Sequence, residues 1–210
     1  MCTFVVKHTN GVPTRAKSRI VVLGSLDQHE WGKSDCFSPV VSIPMIHFLT
    51  ALAVHNGRTL KQGDCKFAFI QATLLDHKLT IVKPPIGCPF SSPNSYWRIR
   101  KSLYGLRHAP WHWYNMFHHI LQSPELVLQP CSQHPCGFIS TPIPGKPPLY
   151  IAIYVDDIIY FSLDDDVEQH FCSALSQKVN MDFVGDAEWY LGIEFDWHKS
   201  ADGTMSCCLL

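Results

Sequence analysis

The alternation of apolar and polar positions divides the chain into short strands and a few helices. "KSRIVVLGSL" carries a β-rich centre at Ile20–Leu23, closed by Gly24. "SIPMIHFLTALAVHNG" predicts a helix in which Ser42 is the N-cap, Pro44 lies in the first turn and Asn56-Gly57 end it. Met45, Phe48, Leu49, Leu52 and Ala53 recur at helical spacing and form its buried face. "TLKQGDCKFAFIQATL" predicts a strand running into a short helical turn. "KLTIVKPP" and "SYWRIRKSLYG" predict strands, parted by the Pro- and Ser-rich loop "PPIGCPFSSPNS". A helix starts at Pro110, with Trp113, Phe117, Ile120 and Leu121 on one face. After the loop "STPIPGKPP", "LYIAIYVDDIIYFS" predicts a hairpin with a Val-Asp-Asp tip. Asp164–Asp166 open another helix, where their charge complements the helix dipole, and Val167, Phe171, Leu175 and Val179 line it. "WYLGIEFDW" predicts a strand and "HKSADGTMSCCLL" an irregular tail. The order, roughly β-α-β-β-α-β with insertions, is an α+β, ferredoxin-like or split βαβ arrangement.

Composition narrows the class without naming a partner. With 210 residues, 46% hydrophobic and 17% charged, the chain has the make-up of an ordinary globular protein. A net charge of -1 gives no global basic field, so a nucleic-acid partner would have to be held by local patches. The longest apolar stretch, "IHFLTALAV", falls far short of the roughly 18 residues of a membrane span, and "MCTFVVKHTNG" lacks the features of a secretory signal. Nine scattered cysteines without a C-x-x-C pair read as reduced, mostly buried thiols of an intracellular protein.

The hairpin tip raises the chemical question. Asp156 and Asp157 interrupt an apolar run, in which adjacent charges need compensation. Asp is also a good turn former, so a purely structural tip stands beside a functional one. Asp64, in "LKQGDCKFAF", is the best third carboxylate. Three clustered carboxylates suit a divalent cation such as Mg2+, and two such ions serve phosphoryl or nucleotidyl transfer.

Several strings then agree in order and spacing. "FSPVVSIPMI", "LKQGDCKFAFIQATL", "RKSLYGLRHAPWHWY", "LYIAIYVDDIIYFS" and "YLGIEF" together resemble the reverse transcriptase of copia-type LTR retrotransposons, from about Lys17 to Phe195. The resemblance implies a right-hand polymerase: fingers elements at roughly 1–40 and 75–105, and palm elements at roughly 41–74 and 106–198. The palm would be ferredoxin-like, an antiparallel sheet with helices on one face. The chain stops soon after "LGIEF", so the thumb is expected to be largely missing.

Carried over position by position, the resemblance makes Asp64, Asp156 and Asp157 the catalytic, metal-holding residues for Mg2+, with Mn2+ as an alternative. Lys17, Arg19, Phe69, Tyr104, Gly105 and Arg107 would bind the incoming nucleotide. Tyr154, Val155 and Gly192 would contact primer and template. Taken alone, Lys17 and Arg19 read as a solvated strand edge, and Phe69 as core. Arg98, Arg100, Lys101 and Arg107, interleaved with Tyr96, Trp97 and Tyr104, suit a phosphate track.

The implied function is template-directed DNA synthesis from deoxynucleoside triphosphates, that is, RNA-directed DNA polymerase activity. Its partners would be an RNA/DNA template-primer and the rest of a retrotransposon polyprotein, with no membrane. The implied setting is the cytoplasm, in a virus-like particle with nuclear access. Phe67, Trp111, His47 and His134 depart from the family pattern, which, with the short C-terminus, leads one to expect a weakened or silent copy. The alternatives are a non-catalytic remnant that folds and binds nucleic acid, and a metal-dependent nuclease. Zinc is disfavoured, because His108/His112 and Cys131/Cys136 lack paired-ligand spacing.

Overall fold

The computed structural model describes residues 2–9, 12–74, 79–92, 94–141 and 145–210. Part of the expected loop over 140–148, residues 142–144, therefore lies outside the description. The first elements are β1 (Cys2–Thr9), β2 (Val12–Ile20), α1 (Lys33–Cys36), α2 (Ile43–His55), β3 (Lys61–Cys65) and α3 (Ala68–Gln71). Next come β4 (Thr80–Val82), β5 (Trp97–Ile99), α4 (Ala109–Leu121), β6 (Leu128–Cys131), β7 (His134–Ser140), β8 (Leu149–Tyr154) and β9 (Asp157–Ser162). The last are α5 (Asp165–Ser176), β10 (Met181–Asp186), β11 (Trp189–Tyr190), β12 (Ile193–Lys199) and β13 (Met205–Leu209). They fall into two compact units, Met1–Ser38 with Phe69–Met116, and Pro39–Ala68 with Phe117–Leu210.

The second unit is built on a six-stranded sheet of order β10-β3-β9-β8-β7-β6, antiparallel throughout. Within it β3, β8, β9 and β10 alone follow the order fourth-first-third-second, the ferredoxin-like weave expected from the sequence. Hairpin β6–β7 widens it beyond β8. The sequence pattern did not reveal β6 or β10. Pro130 interrupts the first, and Asp182, Gly185 and Asp186 depress the strand propensity of the second. Both are edge strands, where such residues are tolerated.

Register assigns the faces. Tyr160 meets Phe171 of α5 at 5.3 Å between centroids, and Phe183 at 5.9 Å, so α5 covers the face that also carries Gly63 and Ile158. His118 of α4 meets Phe138 on this same face. Helix α2 departs from the expected one-sided arrangement, because its Met45 Cε sits over Gly137 on the opposite face. Its buried stripe is Met45, Ile46, Leu49, Thr50 and Ala53, whereas Phe48 is 57% exposed. The four-residue ridges 45-49-53 and 46-50 face the core, which turns Phe48 outward. Ser42 occupies the N-cap position but makes no side-chain capping bond. In α5 the cap is made by Asp164, which accepts from the Asp166 and Val167 amides.

The C-terminal pattern differs from the expected strand and loose tail. Leu191 (φ 52°) and Gly192 (φ 85°) turn the chain between β11 and β12, with Tyr190 opposite Ile193. Two successive positive φ values are those of a two-residue I′ hairpin turn. Beyond it β13 pairs with β12 from Phe195↔Leu209 to Lys199↔Met205.

In the first unit β1 pairs with β2, and β4 with β5. The strand expected over Ile20–Leu23 ends at Ile20. Val22 and Gly24 instead donate to the Tyr104 and Gly105 carbonyls at 2.8 and 3.1 Å. The backbones approach so closely that a Cβ on Gly24 would fall 2.1 Å from the Gly105 oxygen. Leu74, Leu106 and Ala109 form a buried cluster beside them, against which Val22, Phe69, Ile99 and Leu103 pack.

Gly63 tests the packing between β3 and α5's side of the sheet. A Cβ there would stand 3.2 Å from side-chain atoms of each of Ile158, Met181 and Phe183. Gly63→Val is expected to cost about 1–3 kcal/mol by overpacking. Thermal denaturation checks it, at roughly 2–4 °C of Tm per kcal/mol for a chain of this size.

Candidate active site

The β8–β9 hairpin closes through Val155 and Asp156, with Tyr154 opposite Asp157. Val155 has φ 55°. That is the left-handed first position of a II′-type turn, which a β-branched residue enters only under constraint. The Asp156 carbonyl accepts from the Cys65 amide at 2.7 Å, which ties the tip to the end of β3.

That pairing puts Asp64 opposite Asp157, and Asp182 of β10 opposite Asp64. Directly opposed residues of an antiparallel sheet share a face. Asp182, Asp64, Asp157 and Tyr154 therefore form a row across four strands, on the face away from α5. Asp182 is engaged with Lys66 at 2.5 Å. Asp157 is held above the usual carboxylate range, at about 6, by burial first and then by the charges of Asp156 and Asp64. The Tyr190 hydroxyl donates to the Asp157 carbonyl at 3.4 Å, and burial pushes its phenol well up. Sequence reasoning missed Tyr190, Lys66 and Asp182, because cross-strand neighbours from distant segments leave no local pattern. Gly192, at the exposed β11–β12 turn, has nothing within 4 Å of where a Cβ would be.

In the first unit three of the expected nucleotide-binding residues come together. The Arg19 guanidinium lies 5.3 Å from the Tyr104 ring centroid, and Phe69 meets that ring edge-on at 4.9 Å. Phe69 also packs on the Leu74–Leu106–Ala109 cluster, so part of its ring is core. Arg107 donates from Nε to the Gly24 carbonyl at 2.7 Å and from Nη2 to that of Ser25 at 3.4 Å. Gly105 has φ 88° and lets the same two segments approach. Both residues thus have a bracing role that the sequence did not suggest. Lys17 pairs with Val5 in the β1–β2 ladder, and its side chain lies outside the described residues.

The residues that depart from the family pattern are also placed. Phe67 follows β3 with φ 57° and is 62% exposed. Trp111 stands edge-on to His112 at 4.9 Å, and His47 and His134 are exposed. His108 and His112 belong to a column of rings, with Trp31 stacked on His108 at 4.2 Å. The eight cysteines whose side chains are described are free thiols.

Among the described residues, no group of three or more His, Cys, Asp or Glu side chains is gathered to enclose a metal ion. Asp64, Asp156 and Asp157 are thus adjacent carboxylates without being a finished cage. Their donor set is hard oxygen only, which fits Mg2+ or Mn2+. Mg2+ ordinarily takes one or two carboxylates and completes its shell with water and substrate phosphate.

Comparison with known proteins identifies the family. Residues 2–208 match the reverse transcriptase (RNA-dependent DNA polymerase) family, and the chain belongs to it. It is a reverse-transcriptase domain of the copia type, similar to the retrovirus-related Pol polyproteins from transposons RE2 and RE1 of Arabidopsis thaliana. Identity to each is 29% over 187 residues, covering 89% of this chain and 12% of the relative. The Pol polyprotein from transposon TNT 1-94 of Nicotiana tabacum is 27% identical over 180 residues, 86% of this chain and 13% of that protein. The chain thus spans about an eighth of the length of these relatives. No solved structure matches it.

The raised Asp157 predicts a pH-dependent stability. The folded state holds this proton more tightly than the unfolded chain does, so stability falls as pH rises from about 4 through about 6. At pH 7, without divalent cations, Asp157→Asn is expected to raise Tm by roughly 2–6 °C, and the gain should vanish below about pH 4. Melting curves of both proteins across this range check it.

Proposed function

We propose that this domain carries out template-directed DNA synthesis from deoxynucleoside triphosphates, by nucleotidyl transfer at Asp64, Asp156 and Asp157. The observation that carries the reading is Asp64 held opposite Asp157, on the same face and beside the hairpin tip. On this reading the second unit is the palm and the first supplies the fingers. Two Mg2+ ions, when bound, supply activation of the attacking primer hydroxyl and neutralisation of charge on the leaving phosphate. The chain's own part is positional. The three carboxylates hold negative charge where a cation and a triphosphate are wanted, and their mutual repulsion keeps the site receptive to positive charge. Arg19 presents a forked donor for phosphate and Tyr104 a ring for a base, with Phe69 behind it as a wall against a 2′-hydroxyl. Lys17 would add a second cation to the triphosphate site. Tyr154, Val155 and Gly192 would meet the primer and template, where Gly192 lets a backbone come close.

The partners in this reading are an RNA/DNA template-primer, deoxynucleoside triphosphates and the remainder of a retrotransposon polyprotein. The setting is a cytoplasmic particle with access to the nucleus.

Primer extension on an RNA template with a DNA primer, in Mg2+ and then Mn2+, tests the reading. Asp157→Asn should reduce extension by more than about a hundredfold, since even residues that only support metal ligands cost ten- to a hundredfold when changed. Arg19→Ala should raise the KM for the triphosphate more than it lowers kcat. Folded protein that extends no primer in either metal supports instead a non-catalytic remnant.

A further inference from the structure

The opposition of Asp64 and Asp157 has no local cause. A turn fixes the register of β8 on β9, but β3 reaches β9 from a distant part of the chain. A slip of one residue would send Asp64 to the α5 face, since side chains alternate between faces. Some contact must therefore tie both strands to a common reference.

Glu168 of α5 makes that contact. Its residue is only 3% exposed, so its charge must be paired. Oε1 accepts from the Ser162 amide, at the end of β9, at 2.8 Å, and from Arg58 Nη2 at 3.5 Å. Oε2 accepts from Nζ of Lys61, the first residue of β3. One carboxylate thus binds the end of β9 and the start of β3 together. Lys61 pairs with Tyr160, and three steps further along the ladder Asp64 pairs with Asp157. Arg58, just before β3, is also paired with Asp165 of α5. A β3 shifted by one residue would point Lys61 away from α5 and leave the buried carboxylate with one cation fewer. Such a loss is costly for a buried charge.

We infer that Glu168 is a positioning residue for the candidate active site: through Lys61 and Ser162 it sets the register in which Asp64 faces Asp157. The inference rests on the polymerase reading for its functional meaning, but register itself is measured without catalysis.

The test uses the full chain as Glu168→Gln. Two readouts are the cross-strand Hα–Hα contact between residues 64 and 157 in NMR spectra and the affinity for Mn2+ alone by EPR. The contact should weaken or be lost, and Mn2+ should bind at least about tenfold more weakly, the range found for residues that orient metal ligands. Lys61→Met cuts only the β3 arm and should shift both readouts in the same direction, and it serves if Glu168→Gln fails to fold. Asp165→Asn removes a neighbouring ion pair without touching either arm and should leave both unchanged. Folded Glu168→Gln and Lys61→Met with the wild-type contact and Mn2+ affinity would overturn the inference. So would equal effects from Asp165→Asn. Primer extension by the wild type, measured separately, tells failure of the polymerase reading from failure of this one.

Discussion

Like charges stay side by side only where a framework prevents them from parting, and the pairing of β3 with β9 is that framework. The ladder brings Asp64 against Asp157, and the bond from the Cys65 amide to the Asp156 carbonyl extends it to the hairpin tip. The electrostatic cost shows at Asp157, which burial and two neighbouring carboxylates keep part-protonated near pH 6. The rest of the second unit serves this pairing. Helix α5 covers the opposite face, Gly63 fits among Ile158, Met181 and Phe183, and Tyr190 ties the β11–β12 hairpin to the start of β9.

Much of this framework was legible in the sequence because its signals are local. The hairpin at 149–162, the strand ending in Asp64, the helix opened by Asp164 and the helix following Pro110 all lie where periodicity and capping put them. Among the strands that escaped, which also include β7 and β13, β6 with Pro130 and β10 with its aspartates and glycine hold residues that suit a strand only at a sheet's border. The stripe of α2 was misread at Phe48 because apolar character alone does not say which ridge meets the core. For the candidate site the difference has another origin. Asp64 could be named from its string, but the side it faces depends on register, and the contact inferred to set that register, Glu168, looks unremarkable in one dimension.

The first unit shows the same division of labour at smaller scale. Tyr104 gathers Arg19 and Phe69 around one ring, whereas Arg107 and Gly105 are engaged with the segment from Val22 to Ser25. Residues that look equivalent in one dimension thus divide into a group gathered around one ring and a group that fastens the segment beside it.

The sheet order has a consequence for how the chain matures. During synthesis β3 appears before either of its partners, for β9 and β10 both lie downstream of the whole of residues 69–116. While it waits, both of its hydrogen-bonding edges are open, a state in which strands recruit other chains and aggregate. Charged residues discourage such recruitment, and this short strand has Lys61 and Asp64 within it and Lys66 next to it. The aspartate that later faces Asp157 is thus one of the charges this strand carries while its edges are still open.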